Sequence, residues 1–242
     1  MQINHTRNGV IALCQDTPTT LARDWFSVDY WRAKNAVVGS SKGRYTTWFV
    51  QADAQAERPH WVLRHYWRGG LMEKISRDAY FYTGLSNTRA MAELALLDIL
   101  YREGFSVPKP IAANIERHGL CYRADIIIER VAGAEDLVAR LSKTQMSDSE
   151  WQRLGAKLAQ FHRRGVYHAD LNAKNILITA TDFYLIDFDR GELRSPSKGW
   201  QRANLQRLLR SFNKEKSKCP ALAFTEANWQ LLLAGYNSAL AD

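Results

Sequence analysis

Three oxygen-bearing side chains stand at fixed separations in the second half of the chain. Asn175 follows Asp170 by five residues, and Asp187 comes after a short apolar run. A carboxylate can accept the proton of an attacking hydroxyl group, while an amide and a second carboxylate supply the hard oxygen ligands that Mg²⁺ prefers. This spacing is typical of phosphoryl transfer, with Asp170 as the base and Asn175 and Asp187 as metal ligands.

The segments around these residues predict how they are positioned. Residues 176–178 and 183–186 are short apolar runs separated by turn residues, which predicts a β-hairpin that delivers Asp187 beside Asn175. His168 precedes Asp170 by two residues, and we expect it to brace the loop by hydrogen bonding rather than to perform acid-base chemistry.

The rest of the second half favours helices. A helix near Asp136 is followed by one that should begin at a Ser147–Glu150 capping box and end at Gly165. Two further helices are predicted over residues 199–213 and 225–240 from their apolar periodicity.

The first half favours strands. Residues 46–50, 61–66 and 122–129 are rich in β-branched and aromatic side chains, and one helix is predicted over residues 88–103, ending at Gly104. Together the two halves predict an α+β fold, with a small antiparallel sheet plus one helix in residues 1–131 and mainly helices in residues 132–242.

Bulk composition limits the function classes. With 46% hydrophobic and 24% charged residues, the 242-residue chain has the composition of a globular protein, and its three separated cysteines argue against a disulfide framework. The first residues lack the pattern of a secretory signal, and no apolar run is long enough to span a membrane. We therefore expect a cytosolic protein that touches a membrane only at its surface.

The net charge of +8 is concentrated in one segment. Residues 190–218 contain nine Lys or Arg and two Glu, which leaves 24 basic and 23 acidic residues elsewhere. Such a local field attracts phosphate-bearing partners, namely nucleic acid, anionic lipid or phosphorylated sugars. A solvated helix face is the structural alternative.

Candidate phosphate-binding residues lie in the first half. Gly39 and Gly43 flank a segment before a strand, where backbone N–H groups can approach the phosphates of ATP, although such turns are also common hairpin connections. Arg64 on the next strand is the expected cation for the α- and β-phosphates, and it can also pair with Glu93. Lys74 is the reserve candidate for the same role.

These motifs together resemble the protein-kinase-like superfamily and, within it, the bacterial lipopolysaccharide sugar kinases that act on 3-deoxy-D-manno-octulosonic acid (Kdo). The resemblance covers roughly residues 39–213, and the matching passages are residues 63–70, 107–113, 168–177 and 185–191. Arg64 stands where protein kinases carry a lysine.

The resemblance implies a bilobal protein-kinase-like fold, with a nucleotide-binding lobe over residues 1–131 and a catalytic and acceptor-binding lobe over residues 132–242. It also implies ATP and Mg²⁺ as cofactors, and transfer of the γ-phosphoryl group to a hydroxyl of the first Kdo residue of Kdo-lipid A. The protein would act as a peripheral protein on the anionic, cytoplasmic side of the bacterial inner membrane. No nucleic acid and no obligate protein partner are expected.

Departures from protein kinases favour a non-protein acceptor. Asn172 replaces the lysine that usually follows the base by two residues, Asp189 replaces a glycine, and no Ala-Pro-Glu sequence follows Asp187. Six basic residues are candidates for contacts with the phosphates and carboxylates of lipid A, namely Arg190, Arg194, Lys198, Arg202, Arg207 and Arg210.

Three other functions stay open at this point. A heptose kinase, or a RIO-like or aminoglycoside-type phosphotransferase, would use the same loop with a different acceptor. A non-catalytic nucleotide-binding scaffold is motivated by Arg64 and Asp189. Nucleic-acid binding through the basic segment ranks last, because no RNA-binding motif accompanies the charge.

Overall fold

The structure is a computed structural model, and it describes residues 1–15, 17, 21–42, 46–52, 60–67 and 78–241. The chain divides into two compact units. The first unit comprises Met1–Glu103 and Pro108–Ala132, and the second comprises Gly104–Val107 and Gly133–Asp242. Gly43 and Lys74, both predicted to lie near phosphate, are outside the described residues.

The first unit is built on an antiparallel sheet that contains eight strands among the described residues. The order is β1-β2-β7-β8-β5-β4-β3, and β6 also pairs with β8. The strands are β1 (Gln2–Thr6), β2 (Gly9–Leu13), β3 (Val37–Lys42), β4 (Thr46–Gln51), β5 (His60–His65), β6 (Tyr80–Phe81), β7 (Pro110–His118) and β8 (Cys121–Glu129).

An aromatic core lies on one face of this sheet. Trp61 and Leu63 alternate along β5 and are both buried, as the two-residue period of a strand requires. Trp31 of the short helix α1 (Val28–Ala33) packs edge-on against Trp61, with ring centroids 6.0 Å apart. The single helix predicted for this half is thus joined by a second, which is too short to show a periodic pattern.

The predicted helix over residues 88–103 is confirmed as α2 (Arg89–Arg102). Leu94, Leu97 and Leu100 form its buried side, and Gly104 follows with a φ of 80°. A positive φ is accessible to glycine at little cost, so the helix ends where the sequence predicts.

The second unit is mainly helical, as predicted. Its short strands form two small antiparallel sheets, β12-β11-β9 and β10-β13. The helices are α3 (Leu137–Leu141), α4 (Asp148–Arg163), α5 (Lys198–Lys218) and α6 (Glu226–Ala241), and the strands are β9 (Glu135–Asp136), β10 (Val166–Tyr167), β11 (Ile176–Ile178), β12 (Phe183–Leu185) and β13 (Glu192–Leu193).

The sequence predicts the start of α4 correctly, but it predicts an end of α5 that is five residues too early. Ser147 and Glu150 form the predicted capping box, in which Ser147 N–H donates to Glu150 Oε2 at 2.7 Å and Glu150 N–H donates to Ser147 Oγ at 3.3 Å. Helix α5 extends five residues beyond the predicted end at residue 213. The extension is polar, so it adds no apolar periodicity from which it could be predicted.

Helices α4 and α6 cross at two glycines. A Cβ atom on Gly155 would lie 1.9 Å from the carbonyl oxygen of Leu232, and one on Gly235 would lie 2.0 Å from that of Gln152. Real side chains do not approach a backbone oxygen so closely. The two backbones are therefore in direct contact, and only glycine fits at either position.

No described helix is long and apolar enough to cross a membrane. Cys14, Cys121 and Cys219 are free thiols, as their number and separation predict.

Candidate active site

The predicted hairpin is confirmed, and it brings Ile186, the residue before Asp187, against Asn175. Strands β11 and β12 pair with Ile176 opposite Leu185, and Ile186 N–H donates to the carbonyl oxygen of Asn175 at 3.0 Å. Asp187 is the next residue along the chain. The backbone of the second predicted metal ligand thus begins directly beside the first.

Asn172 and Asn175 hold the loop that carries Asp170. Asn172 Oδ1 accepts from the N–H groups of Lys174 and Asn175 at 3.0 and 3.2 Å, so it caps a short 3-10 turn over Ala173–Asn175. Asn175 Nδ2 donates to the backbone carbonyl of Asp170 at 3.0 Å. That bond orients the Asn175 amide so that its Oδ1 is the atom left for a cation, and no hydrogen bond from a described residue reaches this oxygen.

Asn172 thus serves as a loop cap at the position where protein kinases carry a lysine. Its Nδ2 also donates to the Asp170 carbonyl at 3.0 Å and to Asp170 Oδ2 at 3.2 Å. The departure from the protein-kinase pattern replaces a charged lysine with a neutral asparagine, which holds the loop by hydrogen bonds.

His168 is a buried link in this arrangement, as predicted. Its Nδ1 accepts from the N–H of Asp170 at 3.2 Å, so the proton is on Nε2, which donates to the carbonyl oxygen of Ile186 at 3.0 Å. Burial lowers the pKa of His168 and outweighs the opposing effects of the Ile186 carbonyl and of the Asp187 and Asp170 carboxylates. The imidazole is therefore neutral near pH 7, and it ties the loop to the strand that leads into Asp187.

The carboxylate of Asp170 faces an arginine from α5. Arg207 Nη1 lies 2.8 Å from Asp170 Oδ1, and the two side chains are 47% and 53% exposed. The contact joins residues 37 positions apart in the chain. Sequence reasoning placed Arg207 in the basic segment but did not predict this contact.

One face of α5 follows the whole loop. Side chains spaced three or four residues apart lie on the same side of a helix, and four of them bind successive parts of the loop. The pairs are Asn204 with the backbone of His168, Arg207 with Asp170, Ser211 with the N–H of Ala173, and Glu215 with Lys174.

The backbone at Asp187 adopts an uncommon conformation. Its φ is 63°, in the left-handed region that aspartate visits more readily than most residues. The next residue, Phe188, is fully buried and packs against His168 at 4.9 Å and Phe161 at 6.3 Å between ring centroids. Backbone strain of this kind persists where the surrounding packing holds it, and it is common at functional sites.

Asn175 and Asp187 are suited to a cation that also binds a phosphate group. Within the described residues there is no group of three or more His, Cys, Asp or Glu that could hold a metal ion. Asn175 and Asp187 supply an amide and a carboxylate oxygen. A hard cation held here would take its remaining oxygen ligands from water and from phosphate groups, as Mg²⁺ commonly does.

In the first unit, Arg64 and Glu93 form the predicted ion pair. Glu93 is 1% exposed, and its Oε2 accepts from Arg64 Nη2 and from the Tyr66 hydroxyl, the latter at 2.6 Å. Burial raises the pKa of Tyr66 well above its usual range, so the hydroxyl stays protonated and donates. Arg64 is thereby fixed on β5, with its guanidinium also over the Tyr66 ring.

Gly39 lies within a strand rather than in the turn that the sequence predicts. Strand β3 includes it next to a register shift, and Gly39 pairs with Phe49 of β4. A Cβ atom at Gly39 would lie 3.4 Å from Phe49 Cδ2, which is an ordinary contact. The residues between β3 and β4, including Gly43, are outside the described residues.

The basic segment is partly used within the second unit. Arg194 binds Glu192 and places its guanidinium carbon 3.5 Å from the centroid of the Tyr167 ring. Lys218 lies 2.7 Å from Glu215. Other basic side chains of α5 are exposed, namely Lys198, Arg202, Arg210 and Lys214.

The sheet with a buried Arg–Glu pair, and the helical unit with its Asp–Asn loop and Asp-bearing hairpin, define a protein-kinase-like fold. The solved structure of WaaP in complex with acyl carrier protein has this fold, with a TM-score of 0.55 and 15% identity over 94% of this chain and 88% of that one.

The sequence profile described as "Lipopolysaccharide kinase (Kdo/WaaP) family" matches residues 28–236, and the chain belongs to this family. The 3-deoxy-D-manno-octulosonic acid kinase of Mannheimia succiniciproducens is 43% identical over 220 residues, which cover 88% of this chain and 90% of that one. The protein of the same name from Vibrio vulnificus is 45% identical over 214 residues, which cover 88% of each chain. The resemblance predicted from the motifs is confirmed.

Proposed function

We propose that this protein transfers the γ-phosphoryl group of ATP to a hydroxyl of the Kdo sugar on Kdo-lipid A. Membership of the lipopolysaccharide kinase family and the names of the two relatives support the acceptor. The hydrogen-bonded loop that joins Asp170, Asn175 and the strand leading into Asp187 carries the chemical part of the proposal.

Each residue of this loop has a role in the proposed reaction. Asp170 accepts the proton of the attacking sugar hydroxyl as its oxygen bonds to the γ-phosphorus and the bond to the ADP oxygen breaks. His168 and Asn172 orient Asp170 from opposite ends of the loop. Arg64, held by Glu93, and the backbone near Gly39 and Gly43 are the proposed contacts to the nucleotide phosphates.

Asn175 and Asp187 would hold Mg²⁺, which neutralises the charge of the phosphate oxygens when it is bound. The orientation of the Asn175 amide fits this role, because its nitrogen donates to the Asp170 carbonyl and its oxygen is left to coordinate a cation.

The proposal is tested by incubating the purified protein with radiolabelled ATP, Mg²⁺ and defined lipid A precursors, and then locating the added phosphate by mass spectrometry. We expect Kdo-lipid A to gain one phosphate on Kdo, and lipid A without Kdo to gain none. Asp170→Asn should lower kcat by about 10²- to 10⁴-fold, because a positioned general base contributes that much. Asp24→Asn, an exposed carboxylate of the first unit, is the matched control.

Two results would reject this function. Phosphate transferred to a heptose instead of Kdo would favour the heptose kinases, and the absence of transfer to any precursor would favour a nucleotide-binding scaffold. Retained turnover in Asp170→Asn would reject the role of Asp170 alone.

We also propose that the protein works at the cytoplasmic surface of the inner membrane, bound peripherally to anionic lipid. The exposed basic residues of α5 and the net charge of +8 support this location. Each basic residue near an anionic bilayer contributes about 1 kcal/mol. Sedimentation with vesicles should therefore require anionic lipid and weaken with salt, and equal binding to neutral vesicles would contradict the proposal.

A further inference from the structure

The position of Arg207 bears on how the acceptor is recognised. Its ion pair with Asp170 uses one guanidinium nitrogen, Nη1, and almost half of the side chain remains exposed. A guanidinium group has five N–H donors arranged in a planar fork that matches a carboxylate. Arg207 can therefore keep Asp170 on one edge and bind a second anion on another.

The loop itself supplies no other cation at this point. Asn172 occupies the position two residues after Asp170, and its amide is used to cap the loop. Lys174, the next basic residue, is directed to Glu215 with 3.5 Å between Nζ and Oε2. Of the described residues 168–175 and the α5 face bound to them, Arg207 is thus the cation placed at the carboxylate of the proposed base.

We propose that Arg207 binds the carboxylate of the acceptor sugar while it contacts Asp170. The inference rests on the proposed function. Kdo is an octulosonic acid, and its sugar ring holds the carboxylate at a nearly constant distance from the hydroxyl groups on the ring. An arginine that bridges this carboxylate and the base would set which hydroxyl faces Asp170. Arg207 would then be a specificity-determining residue, and a neutral sugar would be a poor acceptor.

The test compares two acceptors, Kdo-lipid A and the same molecule with the Kdo carboxylate converted to its methyl ester. Wild-type protein should prefer the acid by about 10- to 100-fold in kcat/KM, the range expected when a hydrogen bond to a charged group is lost. Arg207→Gln should raise the KM for the acid by a similar factor and leave the KM for the ester nearly unchanged. Arg207→Lys should restore part of the preference.

Arg7→Gln is the matched control, because it removes the same charge from an exposed turn between β1 and β2 that the proposal does not use. It should keep the wild-type preference. Thermal unfolding of each variant checks that a loss of activity is not a loss of folded protein.

The outcomes separate this inference from the proposed function. The inference is overturned by either of two results, because each would show that Arg207 does not recognise the carboxylate. The first is equal phosphorylation of both acceptors by wild-type protein, and the second is an equal loss of kcat/KM for both acceptors in Arg207→Gln. The second result would mean that Arg207 acts by positioning Asp170 or by contacting the transferred phosphate. If wild-type protein does not phosphorylate Kdo-lipid A, the proposed function fails and the inference fails with it.

Discussion

His168 donates a hydrogen bond from Nε2 to the carbonyl oxygen of Ile186, across 3.0 Å and 18 positions of sequence. Its other nitrogen accepts the N–H of Asp170. One neutral ring therefore sets the position of the proposed base relative to the strand that leads into the proposed metal ligand Asp187. Its contribution to activity would be positional, since neither nitrogen is directed to a substrate.

We expect His168→Phe to lower kcat by about 10- to 100-fold and to reduce stability. An aromatic ring is kept, but the partly buried N–H of Asp170 and carbonyl of Ile186 lose their partner, which costs about 0.5–1.5 kcal/mol for each hydrogen bond. Steady-state kinetics and urea unfolding followed by tryptophan fluorescence measure the two effects. His5→Phe, at an exposed position, should change neither. Full activity of His168→Phe would show that the loop holds its geometry without this ring.

Glu93 provides a second prediction, for the first unit. Glu93→Leu removes the buried carboxylate that Arg64 and Tyr66 share, and loss of one member of a buried ion pair typically costs about 3–5 kcal/mol. The double variant Glu93→Leu with Arg64→Met should recover most of this loss, because no charge is then left at the pair. Equilibrium unfolding in urea gives the three free energies.

The exposed pair Asp29–Arg32 is the control for this prediction. Its side chains are 80% and 53% exposed, and Asp29→Ala should cost less than about 1 kcal/mol. A double variant at Glu93 and Arg64 that is no more stable than Glu93→Leu would show that packing of the carboxylate, and not its charge, determines the effect.

Local signals explain what could be predicted from the sequence. The hairpin that presents Asp187, the capping box at Ser147 and the helix end at Gly104 each depend on residues close together in the chain, and the structure contains all three. Pairing of Arg64 with Glu93 was also predicted, because the motif order of the kinase-like pattern places a cation on a strand and an acid on the next helix.

Tertiary contacts account for what was missed. Strand β1 is almost entirely exposed, and α1 is six residues long with Trp31 as its buried residue, so their own patterns are weak. The contact of Arg207 with Asp170 depends on how α5 packs against the loop, which periodicity alone does not fix. Gly39 was predicted wrongly, since it was expected in a turn but lies in a strand.

The crossing of α4 and α6 gives a third prediction. Gly155→Ala would place a methyl group 1.9 Å from the Leu232 carbonyl oxygen, so the helices must separate. We expect a loss of about 1–3 kcal/mol, the range of overpacking in a close-packed interior. Gly199→Ala in α5 is the control, because its added carbon meets only Ser197 Oγ at 3.7 Å. It should be neutral or stabilise by up to about 1 kcal/mol. A Gly155→Ala protein as stable as wild type would mean that the helices separate without cost.

The last prediction concerns acid sensitivity and His162. This side chain is 2% exposed, and its Nδ1 lies 2.8 Å from the Tyr236 hydroxyl, which donates to it because burial raises the pKa of Tyr236 to about 12. Burial also lowers the pKa of His162 to about 4. The unfolded chain, with an ordinary histidine, binds a proton near pH 6.5, whereas the folded protein does so only near pH 4. Stability contributed by the neutral ring is therefore complete above pH 6.5 and is lost as the pH falls toward 4.

The loss from His162 corresponds to at most about 3 kcal/mol, at 1.36 kcal/mol for each pKa unit. His162→Phe should be less stable than wild type at pH 7.5, because the Tyr236 hydroxyl loses its acceptor, but its stability should fall less between pH 7.5 and pH 4.5. Urea unfolding of both proteins at several pH values measures the two slopes, and His5→Phe should follow the wild-type slope. Parallel curves for wild type and His162→Phe would mean that another buried group, such as His168, governs acid unfolding.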